Sequence, residues 1–446
     1  MLDGFRKEWS FSMLQTIRNA WRVEDIRKKL LFMMFIILIF RLGNAVTVPF
    51  VDTDMLSAFF QETNVGLLGL LNTMSGSALE RASIFALSIQ PYINASIIMQ
   101  LLTIAIPALE RMRKEGGEEG KKKIEKITRY ATLGIAALQG YAYYIMISTP
   151  DPHLGGSMLA PGAEGIFPAL VIVATFMTGS ALLMWMGEQI TEFGIGNGIS
   201  IILFVSIVAR FPTDIGQMIM RSIADPATIP IHAVMVLGAL AIIVLIVIVQ
   251  NSERRIPVQY SKRVVGRKMY GGQSTHLPLK VNMSGVLPII FAQSIASIPV
   301  TIVVFVPAWR DSWFARTFDT TTIPYMVLYF FLIIFFSYFY STVQFNPVEV
   351  ANNLKKNGGF IPGFRAGKPT SEFIQKVLTK ITLFGAIYLA IVAITPIIVS
   401  AVSPVAAAAG IAMGGTSIII VVSVALETIK QLESQMLMRH YKGFLE

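Results

Sequence analysis

The chain has 446 residues, 54% hydrophobic against 14% charged, a balance that excludes disorder and argues for a polytopic membrane protein. Cysteine is absent, which excludes disulfides, thiolate chemistry and cysteine-based metal sites. No polar stretch is long enough for an independent soluble domain, so the net charge of +10 carries meaning through where the basic residues lie.

Residues 1–27 are mixed polar and basic, without a short apolar core or small-residue cleavage site, and read as a cytoplasmic segment and not a cleavable signal peptide. A membrane-crossing helix needs about 20 mostly apolar residues. Ten stretches answer that description, near 28–48, 82–106, 129–149, 166–187, 198–212, 231–250, 283–307, 323–345, 377–400 and 412–430. The fifth is short and is expected to continue through "DIGQMIM". Between the first and second lies an apolar segment, Val65 to Leu71, too short to cross, followed by a polar knot (Asn72 to Ser77) and the charged pair Glu80–Arg81. The fold class expected is all-α and polytopic.

Loops rich in Lys and Arg remain in the cytoplasm. With both termini inside, every lysine falls on the inner side or at an inner helix end, and only Arg41, Arg81, Arg210, Arg221, Arg310 and Arg316 lie elsewhere. The inner loops are then 107–128, 188–197, 251–282 and 346–376. Ten spans divide into an N-terminal half (28–230) and a C-terminal half (231–430), with a cytoplasmic tail over 431–446. Because five is odd, the halves have opposite topology, a recurrent plan that puts the working site at the midplane between them.

Two inner loops exceed what topology needs. In 251–282, the alternation of "RRIPVQYSKRVV" followed by Gly271–Gly272 predicts a basic β-hairpin. Loop 346–376 holds the turn-rich "NGGFIPGFRAGKPT". A loop resting on anionic lipid and a docking platform for a cytosolic partner both fit, and their length and turn structure favour the platform.

Catalytic chemistry is not legible. His153, His232, His276 and His440 lack metal-ligand spacing. No Ser–His–acid set assembles, "GIGNGIS" has the wrong spacing for a dinucleotide loop, and "GGEEGKKK" fails the phosphate-loop pattern. Ion-coupled transporters keep ionisable residues within their spans, and these span cores hold almost none. They hold instead Gln90, Pro91, Asn94 and Gln100 in the second, and Pro288, Gln293, Ser294, Ser297 and Pro299 in the seventh. Either helix alone reads as interhelical hydrogen bonding with tolerated kinks. Both at the second place of each half read as a seam able to open.

At "SGSALERASIFALSIQPYINASIIMQLL", "GEQITEFGIGNGISII", "RRIPVQYSKRVVGRKMYGGQSTHLPLKVNMSGVLPIIFA", "FNPVEVANNLKKNGGFIPGFRAGKPT" and "GGTSIIIVV", the chain closely resembles the SecY family. The likeness covers nearly all ten spans in order. It implies two inverted five-helix halves forming a clamshell pore, a short re-entrant plug near 65–77 and a lateral gate between the second/third and seventh/eighth helices. The function implied is the protein-conducting channel of a Sec translocase in the bacterial cytoplasmic membrane. Unfolded secretory polypeptides cross it, and signal peptides and apolar segments leave sideways into lipid. Partners implied are SecE, SecG, the SecA ATPase and the ribosome, with no cofactor, metal, catalytic residue or specific nucleic-acid substrate.

The resemblance places the pore ring on Ile89, Ile93, Ile199, Leu203, Ile290 and Ile420, and the plug on Val65, Leu67, Leu68, Leu71, Asn72, Ser75 and Gly76. It places motor or ribosome docking on Arg254, Arg255, Lys262, Arg263 and Arg365, while the polar residues Gln90, Asn94, Gln293 and Ser294 are read as the gate, the first two being more polar than the family leads one to expect beside the ring. Residues 89 and 93, like 199 and 203, are four apart and share one helix face. An apolar ring blocks ions by dewetting and offers a sliding chain no fixed hydrogen bond. Leu203 stands where the family commonly has Ile, and Ser77 where the plug usually has glycine. The stripe of Gln90 and Asn94 predicts a hydrogen bond from Asn94 to Ser294 or Gln293 across the closed gate.

Overall fold

The computed structural model describes residues 18–62, 71–72, 74–150, 156–163, 165–260, 263–265, 268–270, 274–283, 285–305, 312–319, 322–402 and 415–442. Its first half comprises α1 (Glu24–Gly43), α2 (Thr53–Glu62), α3 (Gln90–Ala105), α4 (Pro107–Glu115), α5 (Gly117–Ser148), α6 (Ile166–Phe193), α7 (Gly198–Val208) and α8 (Phe211–Ala224). The second half runs through α9 (Ile229–Asn251), β1 (Glu253–Tyr260), β2 (Arg263–Val265), β3 (Lys268–Tyr270), β4 (Ser274–Lys280), α10 (Leu287–Ala296) and α11 (Ile298–Phe305). It ends with α12 (Trp313–Thr317), α13 (Ile323–Gln344), α14 (Pro347–Lys356), β5 (Gly359–Phe360), α15 (Lys368–Val402) and α16 (Gly415–Lys442).

Among the described residues, five helices are long and apolar enough to cross a membrane by length and composition alone: Ile166–Phe193, Gly198–Ala224, Pro226–Asn251, Ile323–Lys356 and Lys368–Val399. The second of these joins α7 and α8, so the fifth stretch does continue through "DIGQMIM". The remaining expected spans depart from a straight apolar rod for identifiable reasons. Helix α1 carries Lys28, Lys29 and Arg41, while α5 and α16 begin or end in charged turns. The second span starts at Gln90 and not at 82, because Ala82 and Ser88 sit at φ 43° and 52° and interrupt the helix. Pro91 then fits the first helical turn, where its missing N–H costs nothing. That span bends by 103° into α4 before Pro107. The seventh is split at Ser297 into α10 and α11, with Pro299 just beyond the break.

The middle of α9 is buried over only 11% of its apolar window. Val234, Leu237, Leu240 and Val244 lie bare on it, a surface water does not tolerate and lipid does. Packing divides the rest. Helix α3 lies on α5 and α6, and α10 lies on α13 and α15. The two groups meet where α3 touches α10 and α5 touches α11, and again where α16 packs on α7. "GIGNGIS" is the tight turn between α6 and α7, with Gly196 at φ 90° and Asn197 capping α7 by accepting from Ile199 N and Ser200 N.

The two long loops, 251–282 and 346–376, fold together. Strand β1 pairs antiparallel with β4, from Glu253↔Lys280 to Gln259↔Ser274, and with β5 through Gln259↔Phe360 and Tyr260↔Gly359. Ile256, Val258 and Leu279 from the first loop close on Ile361 and Ile374 from the second. The predicted hairpin is present, but Gly271 and Gly272 lie outside the described residues, and the pairing of β2 with β3 (Val265↔Lys268) precedes them.

Candidate functional site: an apolar ring, a knot above it and a polar seam

All six residues of the expected ring share one apolar cluster. Ile89, Ile93, Leu203, Ile290 and Ile420 are at most 6% exposed, and half-buried Ile199 packs against them. They arrive from four places: the turn before α3 and its first turn, the first two turns of α7, the first turn of α10 and the second turn of α16. Leu203, Ile290 and Ile420 have apolar neighbours on both sides, whereas Ile89, Ile93 and Ile199 stand beside Gln90, Asn94 and Ser200. Their elements belong to both halves, and all six side chains contribute hydrocarbon to the same core cluster.

Of the expected plug residues, Val65, Leu67 and Leu68 lie outside the described residues. Leu71, Asn72, Ser75 and Gly76 are described, and they form a self-tied knot with residues 77–80. Asn72 Nδ2 donates to Glu80 Oε2 at 2.6 Å, while Asn72 Oδ1 accepts from Glu80 N at 3.2 Å. Ser75 Oγ donates to Asn72 O and accepts from Leu79 N, and Ser77 N also donates to Asn72 O. Buried Tyr143 on α5 pins the end by donating its hydroxyl to Leu79 O at 2.8 Å. Glu80 of the charged pair thus serves to close the knot.

The knot touches both halves. Gly76, at φ 68°, lies so close to α7 that a Cβ there would stand 2.6 Å from Ser206 O. Only glycine combines that approach with a left-handed backbone. On the other side, Met74 is 3% exposed in the same cluster as the ring, and its Sδ accepts from Gln293 Nε2 on α10 at 3.4 Å. Sequence reasoning missed Met74, since a methionine between polar residues has no periodicity to mark it.

Across the seam, Gln90 Nε2 on α3 donates to Ser294 Oγ on α10 at 3.4 Å. The predicted bond from Asn94 is not made. Its Oδ1 is buried without a partner, as is Gln293 Oε1. The reason is register: Gln90, one turn nearer the start of α3, faces the turn of α10 that carries Ser294. An open cavity of about 620 Å³ lies among the end of α3, α4, α13 and α15, lined by Thr103, Ile104, Arg113, Tyr338, Phe345 and Leu378, among others.

The expected docking residues decorate the folded inner loops. Arg254 and Arg255 are exposed on β1, with Arg255 Nε 2.7 Å from Glu253 Oε1. Arg263 pairs by backbone with Tyr270, and Lys262 lies outside the described residues. Arg365 is exposed on a turn held between Gly363 (φ 86°) and Gly367 (φ 105°). Phe364 stacks on Phe373 with centroids 4.1 Å apart, and Thr370 Oγ1 donates to Arg365 O. The guanidinium therefore projects from a braced turn.

A mostly helical membrane protein with an apolar cluster drawn from both halves, a knot packed against it and a polar seam beside it has the form of a polypeptide channel. The SecY family model matches residues 83–429. "Protein translocase subunit SecY" of Streptomyces scabiei is 44% identical over 447 residues, covering 97% of this chain and all of that protein. Its namesake from Mycobacterium bovis is 42% identical with the same coverage. A solved "structure of a protein conducting channel" superposes with TM-score 0.62 at 14% identity, covering 92% of this chain and 93% of that one. A second, described by the plug domain of SecY stabilising the closed state of the channel, gives TM-score 0.60, again at 14% identity and covering 92% of each chain. At that identity the likeness is one of fold. The chain belongs to the SecY family.

Proposed function

We propose that this chain is the central protein-conducting channel of a Sec translocase, passing unfolded secretory polypeptides across the cytoplasmic membrane and releasing apolar segments sideways into lipid. The observation that carries the reading is the ring of Ile89, Ile93, Ile199, Leu203, Ile290 and Ile420, gathered from four elements into one apolar cluster. A hydrocarbon constriction dewets and resists ions when empty, yet holds no group to which a passing chain of arbitrary sequence adheres.

The halves 28–230 and 231–430 act as the two sides of a clamshell, with residues 65–77 as plug and both termini cytoplasmic. The α3–α10 seam is the lateral gate. Arg365, with Arg254, Arg255, Lys262 and Arg263, engages the SecA ATPase or the ribosome, and SecE and SecG complete the complex. Energy comes from these partners and not from chemistry on this chain. Relatives of this fold include Sec61 in a canine ribosome–channel complex, which supports the ribosome as a partner. Reconstitution with SecE in vesicles, followed by SecA- and ATP-dependent protease protection of a secretory precursor, tests the reading.

A further inference from the structure

We propose that His232 is a positioning residue that staples α8 to α9, making the covalent joint between the two halves a stiff spring that returns them to the closed angle. The inference rests on the channel reading, in which residues 28–230 and 231–430 move as two sides, and adds to it what restores the resting state.

Position comes first. The chain passes from one half to the other just beyond the connection 225–228, so a rotation of one half on the other turns α8 against α9. That connection is not slack. Asp225 Oδ1 accepts from Ala227 N at 3.1 Å, Thr228 N and Thr228 Oγ1 both donate to Asp225 O, and Pro226–Thr228 form a 3₁₀ turn. Pro226 and Pro230 fix two further backbone torsions.

The staple lies on either side of that turn. Ser222 Oγ, in the last turn of α8, is 2.7 Å from His232 Nδ1, in the first turn of α9. The same serine oxygen donates to Met218 O at 2.9 Å. A hydroxyl has one hydrogen and a carbonyl can only accept, so both contacts are hydrogen bonds only when the ring donates Nδ1–H. His232 is 5% exposed, while Ile219, Met220 and Ile223 on α8 and Ile229 and Val234 on α9 are exposed. A polar pair shut inside an apolar hairpin loses its bond without a replacement, and breaking it is costly.

Leverage makes that cost act on the halves. His232 stands about 6 Å along the helix from Thr228, the N-cap of α9, at about 1.5 Å per residue. Splaying the hairpin by roughly 10° about its turn moves the ring by about 1 Å, enough to carry a 2.7 Å contact past hydrogen-bond range. The bond is made in the same structure that has Gln90 on Ser294 across the seam. The staple therefore favours the closed angle.

The chain has no cysteine, so spin labels at Tyr130→Cys on α5 and Phe331→Cys on α13, both exposed, report the distance between the halves in vesicles with SecE. The parent is expected to give one dominant distance. His232→Ala and Ser222→Ala are each expected to raise the population at longer distance about fivefold, and the double variant no further than either single one. His232→Asn, whose amide nitrogen takes the place of Nδ1, is expected to restore the parent distribution. A bond that only packs the hairpin would lower thermal stability and leave the distance alone. An unchanged distribution in His232→Ala overturns the proposal, as does an additive double variant. If His232→Ala does not fold, Ser222→Ala, which removes a single oxygen, decides. The distance needs no precursor, so its result stands apart from the channel reading, which fails instead if the unsubstituted channel protects no precursor.

Discussion

Gln90 and Ser294 join the two halves of the molecule with a hydrogen bond of 3.4 Å, one turn away from Asn94, whose buried carbonyl oxygen has no partner. The two amides of the same helix face therefore act in opposite senses on the closed seam. A double-mutant cycle of Gln90→Ala and Ser294→Ala is expected to give a coupling of about 0.5–1.5 kcal/mol in favour of closure. Asn94→Leu removes an unpaired buried oxygen and is expected to stabilise closure by about 1–3 kcal/mol. Resting ion conductance reads both, and additivity in the cycle would show that the Gln90–Ser294 bond does not hold the seam.

Ser77 sits at φ 66°, in the left-handed region, where a side chain costs about 1–2 kcal/mol relative to glycine. Ser77→Gly is expected to tighten the knot by about 1 kcal/mol and to slow proteolysis of the plug segment in the resting channel. Faster cleavage than in the parent would mean that Ser77 contributes more through its side chain than its backbone costs.

Arg365 is exposed on a braced turn, so its replacement leaves the fold intact; surface changes of this kind stay within about 0.5 kcal/mol. Arg365→Lys preserves the charge but not the planar fork that binds carboxylates in pairs. Partner-driven translocation is expected to fall steeply in Arg365→Lys and to vanish in Arg365→Glu, with unchanged thermal stability in detergent. Full activity in Arg365→Glu would remove this residue from the docking surface. Phe373→Ala, which deletes the stacking partner of Phe364, is expected to weaken docking less than Arg365→Glu does.

Ile290 is 4% exposed within the core cluster that the proposed ring residues share. Ile290→Asn puts an amide into the constriction, where it retains water and defeats dewetting. An ion leak in the absence of precursor is expected, whereas Ile290→Val is expected to be near the parent. Equal tightness of the Asn variant would place the seal elsewhere.

Much of this was legible in the chain because its signals are strong. Apolar length located the five helices long enough to cross a membrane, and alternation in "RRIPVQYSKRVV" gave the strand that became β1. The ring came from family likeness, since a lone Ile in an apolar helix is indistinguishable from one facing lipid. What escaped were features decided by backbone conformation or tertiary register. Ala82 and Ser88 carry no sequence mark of a positive φ, so the second helix was drawn eight residues too long. The Gln90 and Asn94 stripe was visible, but which of them meets Ser294 depends on the relative height of α3 and α10. Met74 met its partner only once the knot was folded against Gln293.

The central claim is that a polypeptide passes through this chain. Its most direct test is protease protection of a secretory precursor in sealed vesicles containing the chain with SecE, driven by SecA and ATP. The account predicts ATP-dependent protection that disappears in Arg365→Glu. Absence of protection with the unsubstituted channel would contradict it.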